Sequence, residues 1–163
     1  SAPVALELMR EAGVLYVEEP LPVCDIRARA ALRKLGILPI IADDSCFTPN
    51  DLERELDFET FDILNIKTAR NGFTDSLAMM RMASEAGKGV MIGSQASTTL
   101  GTIHAAILAS RSEITHPSEL SFFLKLERDI TTRVPRIDGG YFDLENALGI
   151  TLDDAKLEAA RIT

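Results

Sequence analysis

Acidic residues and one lysine follow the apolar runs of this sequence, at the points where those runs end. The run "VLYV" stops at two adjacent carboxylates and "ILPIIA" stops at two more, whereas "FDILNI" stops at a lysine. In chain order, the polar residues at these ends are Glu18 and Glu19, Asp43 and Asp44, Lys67, Gln95 and Ser97, and Glu119. Carboxylates gathered at one point repel each other unless a positive charge lies among them.

Two kinds of chemistry fit this set of residues. Mg²⁺ and Mn²⁺ prefer oxygen ligands, so Glu18 and Asp43 are candidate metal ligands. Lys67 is a candidate general base, because a nearby metal charge lowers the pKa of an amine. The alternative for Lys67 is a salt bridge to the same acids, and the sequence leaves both roles open.

Helical and strand patterns alternate along most of the chain and must position these residues. Gly13, Gly36 and Gly87 each precede a strand as helix-ending glycines. Predicted helices cover 3–12, 24–35, 49–57, 74–86 and 98–110, and predicted strands cover 14–18, 38–42, 61–67, 89–93 and 112–116. This order predicts an α/β fold with parallel strands, as a doubly wound sheet or part of a (β/α)8 barrel.

The alternation breaks down after about residue 120. The remaining sequence contains a "DGG" turn, a short "YFDL" strand and a final amphipathic helix. We therefore divide the chain into a partial (β/α) barrel at 1–120 and a C-terminal segment at 121–163 that packs on it.

Composition excludes several partners. The chain has 163 residues, 46 % of them apolar, which is enough for one domain with a core. A net charge of -8 argues against binding nucleic acid. The sequence has no apolar run long enough to span a membrane and no signal-peptide pattern, so we predict a cytoplasmic protein without a membrane partner. Cys24 and Cys46 are predicted to be free, reduced thiols.

Other conspicuous residues favour structural roles. Met79, Met80 and Met82 are predicted to fill the core, and His104 to pack or cap. His116 lies nearer a strand end, so it is a candidate ligand contact. The small residues of "GSQASTTLG" precede a helix whose N-terminus could bind an anion.

Taken together, these motifs resemble the muconate-lactonizing and mandelate racemase branch of the enolase superfamily. The resemblance rests on "VEEP", on "ADDS" 25 residues later, and on "NIKTARNG", whose Lys67 is 24 residues after Asp43. It continues through "GSQASTTLGTIHAA", "SEL" and "GITLDDAKL". It implies the C-terminal portion of a (β/α)7β TIM-like barrel, with a C-terminal extension that completes a capping domain. It also implies a Mg²⁺- or Mn²⁺-dependent enzyme that abstracts a proton α to a substrate carboxylate and stabilises the enediolate.

The resemblance also implies a role for each site residue. Glu18 and Asp43 match the second and third metal ligands, and Lys67 matches the acid/base lysine. The remaining assignments are Asp44 as the acid that supports Lys67, Glu119 as an acid that contacts the substrate carboxylate or the lysine, and Gln95, Ser97 and His116 as substrate-binding residues. A lysine at 67 without a histidine on the next strand favours the muconate cycloisomerase-like subgroup. Phe73 and Ser97 depart from the family pattern, which usually has Gly and often Glu there.

A closed barrel of this kind needs roughly 200 residues or more, whereas this sequence predicts about five strands. We therefore expect the C-terminal part of a larger enzyme, with the first metal ligand upstream. The chain alone is expected to be inactive, to bind metal weakly or not at all, and to form a homo-oligomer or associate with the N-terminal half. Two alternatives stay open: a noncatalytic scaffold or interaction domain that has lost the chemistry, and an aldolase that forms a Schiff base on Lys67.

Overall fold

A parallel sheet with helices packed against it forms the larger part of the computed structural model, which describes residues 1–161. Within that range the sheet has four strands in the order β1 (Val17–Glu18), β2 (Ile40–Ala42), β3 (Ile63–Ile66) and β4 (Gly89–Ile92), and every neighbouring pair is parallel. The helices are α1 (Ala2–Glu11), α2 (Ile26–Lys34), α3 (Pro49–Asp57), α4 (Thr68–Glu85) and α5 (Thr99–Ala109). The predicted α/β alternation is confirmed.

Local sequence signals set most of the helix boundaries. Asp25 caps α2 by accepting a hydrogen bond from the Ala28 amide at 3.1 Å. Thr48 and Asp51 form a reciprocal capping box at the start of α3, where Pro49 occupies the first turn. Gly36 follows α2 with φ +62°, a left-handed conformation that glycine adopts without strain.

The sheet has two apolar faces, as expected for parallel strands. One face packs against α3, α4 and α5 through Leu64 and Ile92, and Met79 and Met80 of α4 are fully buried there as predicted. The opposite face carries a smaller cluster of Tyr16, Ile41, Ile63 and Met91. Because side chains alternate along a strand, the residues of β3 on this second face are Ile63 and Asn65, and Lys67 continues the row beyond the strand's end.

The predicted fifth strand at 112–116 is wrong, because the structure has no regular strand there. Residues 115–119 run beside β4, but side-chain hydroxyls replace some of the backbone carbonyls. The bonds are Thr115 N to Val90 O at 3.0 Å, Val90 N to Thr115 Oγ1 at 3.1 Å, Ile92 N to Ser118 Oγ at 3.2 Å and Glu119 N to Ile92 O at 2.8 Å. Pro117 lacks an amide hydrogen, so a regular ladder cannot pass through this segment.

The predicted helix at 74–86 is also longer in the structure, where α4 begins at Thr68. Gly72 interrupts it with φ 62° and ψ -173°, so a short helical turn after Lys67 is separated from the main helix. The turn places Arg70 close to the end of β3, which matters for the site described below.

The C-terminal segment packs against the same core. It contains a 3₁₀ turn (Phe122–Lys125), the hairpin of β5 (Ile137–Asp138) and β6 (Tyr141–Phe142), α6 (Leu144–Ala147) and α7 (Asp154–Ala159). The predicted "DGG" turn, "YFDL" strand and final helix are confirmed, whereas α6 was not predicted. Phe123 is buried, and its ring meets that of Phe142 edge to face at 6.3 Å. No helix within residues 1–161 has both the length and the apolar character needed to cross a membrane.

Asp129 joins the C-terminal segment to the N-terminus of α5. Its carboxylate accepts hydrogen bonds from the Thr99 amide at 2.8 Å and the Thr131 hydroxyl at 3.0 Å. This carboxylate takes up an amide of the helix N-terminus at which "GSQASTTLG" suggested an anion site. Partial burial acts to raise the pKa of Asp129, but these hydrogen bonds outweigh it, and the net pKa is lowered.

We expect Asp129→Ala to lower the free energy of unfolding by about 0.5–2 kcal/mol at neutral pH, the usual value of a helix cap. Because the pKa of Asp129 is lowered in the folded state, its contribution is fully present above the ordinary aspartate pKa and is lost as pH falls through the lower, folded value. Urea titrations of both proteins from pH 7 down to about pH 2 measure this difference. Asp138→Ala, at an exposed hairpin position, is the control. A difference that stays constant over the whole range contradicts the assignment.

Candidate active site

The carboxyl ends of β1, β2 and β3 bring the predicted charged residues to one edge of the sheet. Glu18 is the last residue of β1, Asp43 directly follows β2 and Lys67 directly follows β3. The Lys67 ammonium forms a salt bridge with the Asp43 carboxylate. The edge therefore holds two carboxylates and a lysine supplied by three adjacent strands.

Asp43 is the most buried carboxylate of this edge, with 4 % of its surface exposed. Lys67 bonds one carboxylate oxygen, and Arg70 donates to the other from Nη1 at 2.9 Å. Two positive groups therefore hold a charge that would be costly to bury alone.

Arg70 was not singled out in the sequence, although it contacts two predicted site residues. Its Nη2 donates to Asp44 at 2.8 Å, and its guanidinium lies over the Phe47 ring, 4.2 Å from the ring centroid. Asp44 is exposed, and it forms an ion pair with Arg70, not with the lysine that the family resemblance assigned to it. Arg70 and Asp43 connect Asp44 to Lys67 through a series of ion pairs. The sequence signal for Arg70 was its spacing from Lys67. In the helical turn after β3, the third residue after Lys67 lies on the same side of the helix as Lys67.

Asn65 is a second residue that sequence reasoning missed. It is buried, and its amide nitrogen donates to Glu18 Oε2 at 3.3 Å. Its Oδ1 has no hydrogen-bond partner among the described residues. A Cβ at Gly93 would lie 2.3 Å from this oxygen, so only glycine leaves room for the amide. Because strand side chains alternate, the position two residues before Lys67 was the signal that identifies Asn65.

Loss of hydration and a neighbouring carboxylate both disfavour the charged form of Glu18. Loss of hydration raises the pKa of the Glu18 carboxyl, and the negative charge of Asp43 raises it further. The Asn65 hydrogen bond and the Lys67 charge act in the opposite direction, and Glu119 adds a smaller rise. The net effect is a raised pKa. These influences also show that Glu119 and Lys67 lie near enough to Glu18 for their charges to act on it.

The other predicted substrate contacts are distributed unevenly. Gln95 and Ser97 lie in the loop after β4, at the same edge as Glu18, but no hydrogen bond or ion pair within residues 1–161 joins their side chains to the charged residues. Glu119 is exposed beside the end of β4. His116 packs against Gly89 at the start of β4 and meets Tyr16 edge to face at 6.3 Å. Roughly 10 Å of strand separates Gly89 from the edge. His116 nevertheless lines one open cavity together with Glu18 and Glu119, so its substrate-binding role stays a prediction.

The side chains of the remaining candidates form no ion pair with this edge within residues 1–161, although the Cys46 amide donates to the Asp43 carbonyl at 3.0 Å. His104 is exposed and meets Phe73 edge to face at 5.9 Å, so it packs as predicted. Cys24 and Cys46 are both free, as predicted. Burial raises the pKa of the Cys46 thiol to about 12, so it is not a nucleophile at neutral pH.

The carboxylate oxygens at this edge meet some, but not all, of the requirements of a binding site for a hard divalent cation. Glu18 and Asp43 offer oxygen atoms, which Mg²⁺ and Mn²⁺ prefer, and they lie at the ends of two adjacent parallel strands. Carboxylate oxygens carry more than one lone pair, so Asp43 can keep its lysine and arginine while binding a metal. However, residues 1–161 contain no group of three or more His, Cys, Asp or Glu side chains arranged to hold an ion. Among the described residues, Glu18 and Asp43 are therefore the two candidate ligands.

Comparison with known proteins defines the protein class to which this chain belongs. A sequence model described as enolase C-terminal domain-like matches residues 1–156, and the chain belongs to this family. The fold is correspondingly similar to muconate lactonizing enzyme from Pseudomonas putida, with a TM-score of 0.90 at 24 % identity over 97 % of this chain and 45 % of that one. The predicted membership of the enolase superfamily and the predicted barrel portion are confirmed.

Two relatives in the sequence comparison are enzymes of this superfamily. The o-succinylbenzoate synthase of Geobacillus stearothermophilus is 28 % identical over 97 % of this chain and 43 % of its own length. The L-amino acid-D/L-Glu epimerase of Francisella philomiragia subsp. philomiragia is 31 % identical over 63 % of this chain and 29 % of its own length. The chain therefore spans less than half the length of the relatives it matches.

Proposed function

We propose that this chain forms the catalytic edge of a divalent-metal-dependent enzyme that moves a proton on the carbon α to a substrate carboxylate. The observation that carries this proposal is the Lys67–Asp43 salt bridge at the same strand edge as Glu18, whose pKa is raised by loss of hydration and by the neighbouring Asp43 charge. The relatives include epimerases and o-succinylbenzoate synthases. They favour these reaction types over muconate cycloisomerization, for which the likeness is one of fold.

Each residue has a task that follows from its position. Glu18 and Asp43 would bind the metal, which would supply positive charge next to the substrate carboxylate and make the α-proton more acidic. Lys67 Nζ holds a proton in its ion pair with Asp43 and gives it to the α-carbon, or as a free amine removes one. Asn65 orients Glu18, and Arg70 keeps the Asp43 charge compensated. Glu119 would contact the substrate or the lysine.

The proposal includes residues beyond those of this chain. Two candidate ligands are too few for a tight Mg²⁺ site, so a third comes from another part of the protein or an associated chain. The chain by itself is then expected to be inactive and to bind metal weakly.

Proton exchange in D₂O tests the function directly. The longest protein that contains this chain is incubated with Mg²⁺ and either L-Ala-L-Glu or L-Ala-D-Glu, and NMR follows loss of the α-proton signal of the glutamate residue. We expect exchange with at least one of the two dipeptides, loss of exchange to background after EDTA, and recovery with Mn²⁺. Asp138→Asn, at an exposed hairpin position, is the control and should exchange normally. Exchange that is absent with every carboxylate and metal tried would favour the noncatalytic scaffold.

A further inference from the structure

Glu19 connects the ends of two strands through one carboxylate oxygen. Its Oε1 accepts hydrogen bonds from the Asp43 amide at 2.9 Å, the Ser45 amide at 3.1 Å and the Ser45 hydroxyl at 2.7 Å. Glu19 directly follows Glu18, and its φ of 40° is a left-handed conformation rarely adopted by residues other than glycine. The strand ends there, and the Glu19 side chain bonds to the loop that carries Asp43.

A buried chain of charges holds Glu19 in this position. Arg29 of α2 has 3 % of its side chain exposed; its Nη2 lies 3.3 Å from Glu19 Oε2, and its Nη1 lies 2.9 Å from Glu55 Oε2. Glu55 is fully buried and also bonds the Thr60 hydroxyl and Arg54. The Arg29–Glu19 contact is an ion pair without a well-aligned hydrogen bond. Because the Glu19 carboxylate is held by the Asp43 and Ser45 hydrogen bonds and by the buried Arg29, its side chain cannot reorient freely.

The other end of β2 carries a similar arrangement away from the site. Arg33 lies one helical turn after Arg29, and its Nε donates to Asp62 Oδ1 at 2.9 Å. Asp62 Oδ2 in turn accepts from the Ile40 amide at 3.0 Å. Here the side chains of Arg33 and Asp62 are 24 % and 32 % exposed. Helix α2 therefore anchors both ends of β2 through an arginine and a carboxylate, and only the anchor at the carboxyl end adjoins Glu18 and Asp43.

We infer that Glu19 is a positioning residue that fixes Asp43 relative to Glu18. The inference rests on the proposed function, because those two residues are its candidate metal ligands. Ligands on separate strands must be held to within about 0.5 Å of their working geometry, and Glu19 is joined to one by sequence and to the other by a hydrogen bond. The Arg29–Glu55 pair holds the Glu19 carboxylate in this orientation.

Hydrogen exchange provides a test that needs no metal. In Glu19→Ala, we expect the Asp43 and Ser45 amides to exchange about 10- to 100-fold faster, as loss of hydrogen bonds to a charged group implies. Glu19→Gln keeps an acceptor oxygen and should restore part of the protection. Asp62→Ala is the matched control: it should accelerate exchange at Ile40 and leave Asp43 and Ser45 within about twofold of the parent. Unchanged exchange at Asp43 and Ser45 in Glu19→Ala overturns the inference.

Metal affinity gives the second measurement, made with Mn²⁺ and electron paramagnetic resonance on the longest protein that contains the chain. Glu19→Ala should weaken Mn²⁺ binding about 10- to 100-fold, the range for loss of a group that orients a ligand. Asp62→Ala should change it less than twofold, although both variants lose stability. If the two variants lose Mn²⁺ affinity equally, Glu19 has only a general structural role and does not position Asp43. If the parent protein binds no Mn²⁺, the proposed function fails, and the exchange measurement still decides whether Glu19 positions Asp43.

Discussion

Lys67→Ala is expected to lower the rate of α-proton exchange by about 10²- to 10⁴-fold, the contribution of a positioned general acid or base. Lys67 Nζ forms a salt bridge with Asp43 at the candidate metal edge. Its removal deletes the proton donor and acceptor while Glu18 remains to bind metal. We therefore expect kcat to fall much more than Mn²⁺ affinity, and steady-state NMR exchange rates with Mn²⁺ titrations measure both.

The stereochemistry of the residual exchange in Lys67→Ala provides a second readout of this experiment. In the proposed mechanism Lys67 would act on one side of the substrate, so the variant should lose exchange from one epimer and retain any exchange that a second base provides for the other. Lys88→Ala is the matched control, because Lys88 donates to the Phe61 carbonyl at 3.0 Å near the start of β4, away from the edge. It should retain the parent rate once stability is taken into account. Parent-like exchange from both epimers in Lys67→Ala would remove Lys67 from the mechanism.

Arg29→Ala is expected to cause the largest loss of stability, about 3–5 kcal/mol of the free energy of unfolding. Arg29 lies between Glu19 and Glu55, and its removal leaves two carboxylates in a buried region without their shared cation. Because domains of this size are stable by only about 5–15 kcal/mol, the variant should lie close to its unfolding threshold. Urea denaturation followed by circular dichroism measures the difference.

Two arginines on the same helix provide controls. Arg27 is exposed, so Arg27→Ala should change the free energy of unfolding by less than about 0.5 kcal/mol. Arg33→Ala breaks a partly exposed pair and should cost about 1 kcal/mol or less. Arg29→Lys keeps a charge and should fall between the parent and Arg29→Ala. A loss below about 1 kcal/mol in Arg29→Ala would mean that water or other groups compensate the two carboxylates, and the buried chain would not stabilise the fold.

Most of the sheet could be predicted because its signals are local. Apolar runs identified the four strands, three of which follow a helix-ending glycine, and the capping residues Asp25 and Thr48 lie at the starts of α2 and α3. The predicted strand at 112–116 was wrong for a reason that is not local: Thr115 and Ser118 bond to amides of β4, and only the packed structure brings them there. The helical turn before Gly72 was not predicted either, and it carries the Arg70 that bonds Asp43.

For the candidate site too, local sequence signals predicted one part and the tertiary structure decided the rest. By itself, the sequence determined that Glu18, Asp43 and Lys67 end adjacent parallel strands, because strand direction and strand ends are written in local patterns. Only the tertiary structure decided which charges pair: Arg70 with Asp43 and Asp44, Glu19 with the Asp43 loop, and Arg29 with two carboxylates. These partners lie far apart in sequence, and strand register and helix orientation set their distances. Side-chain pairing depends on ångström-scale separations that residue types and spacing do not specify.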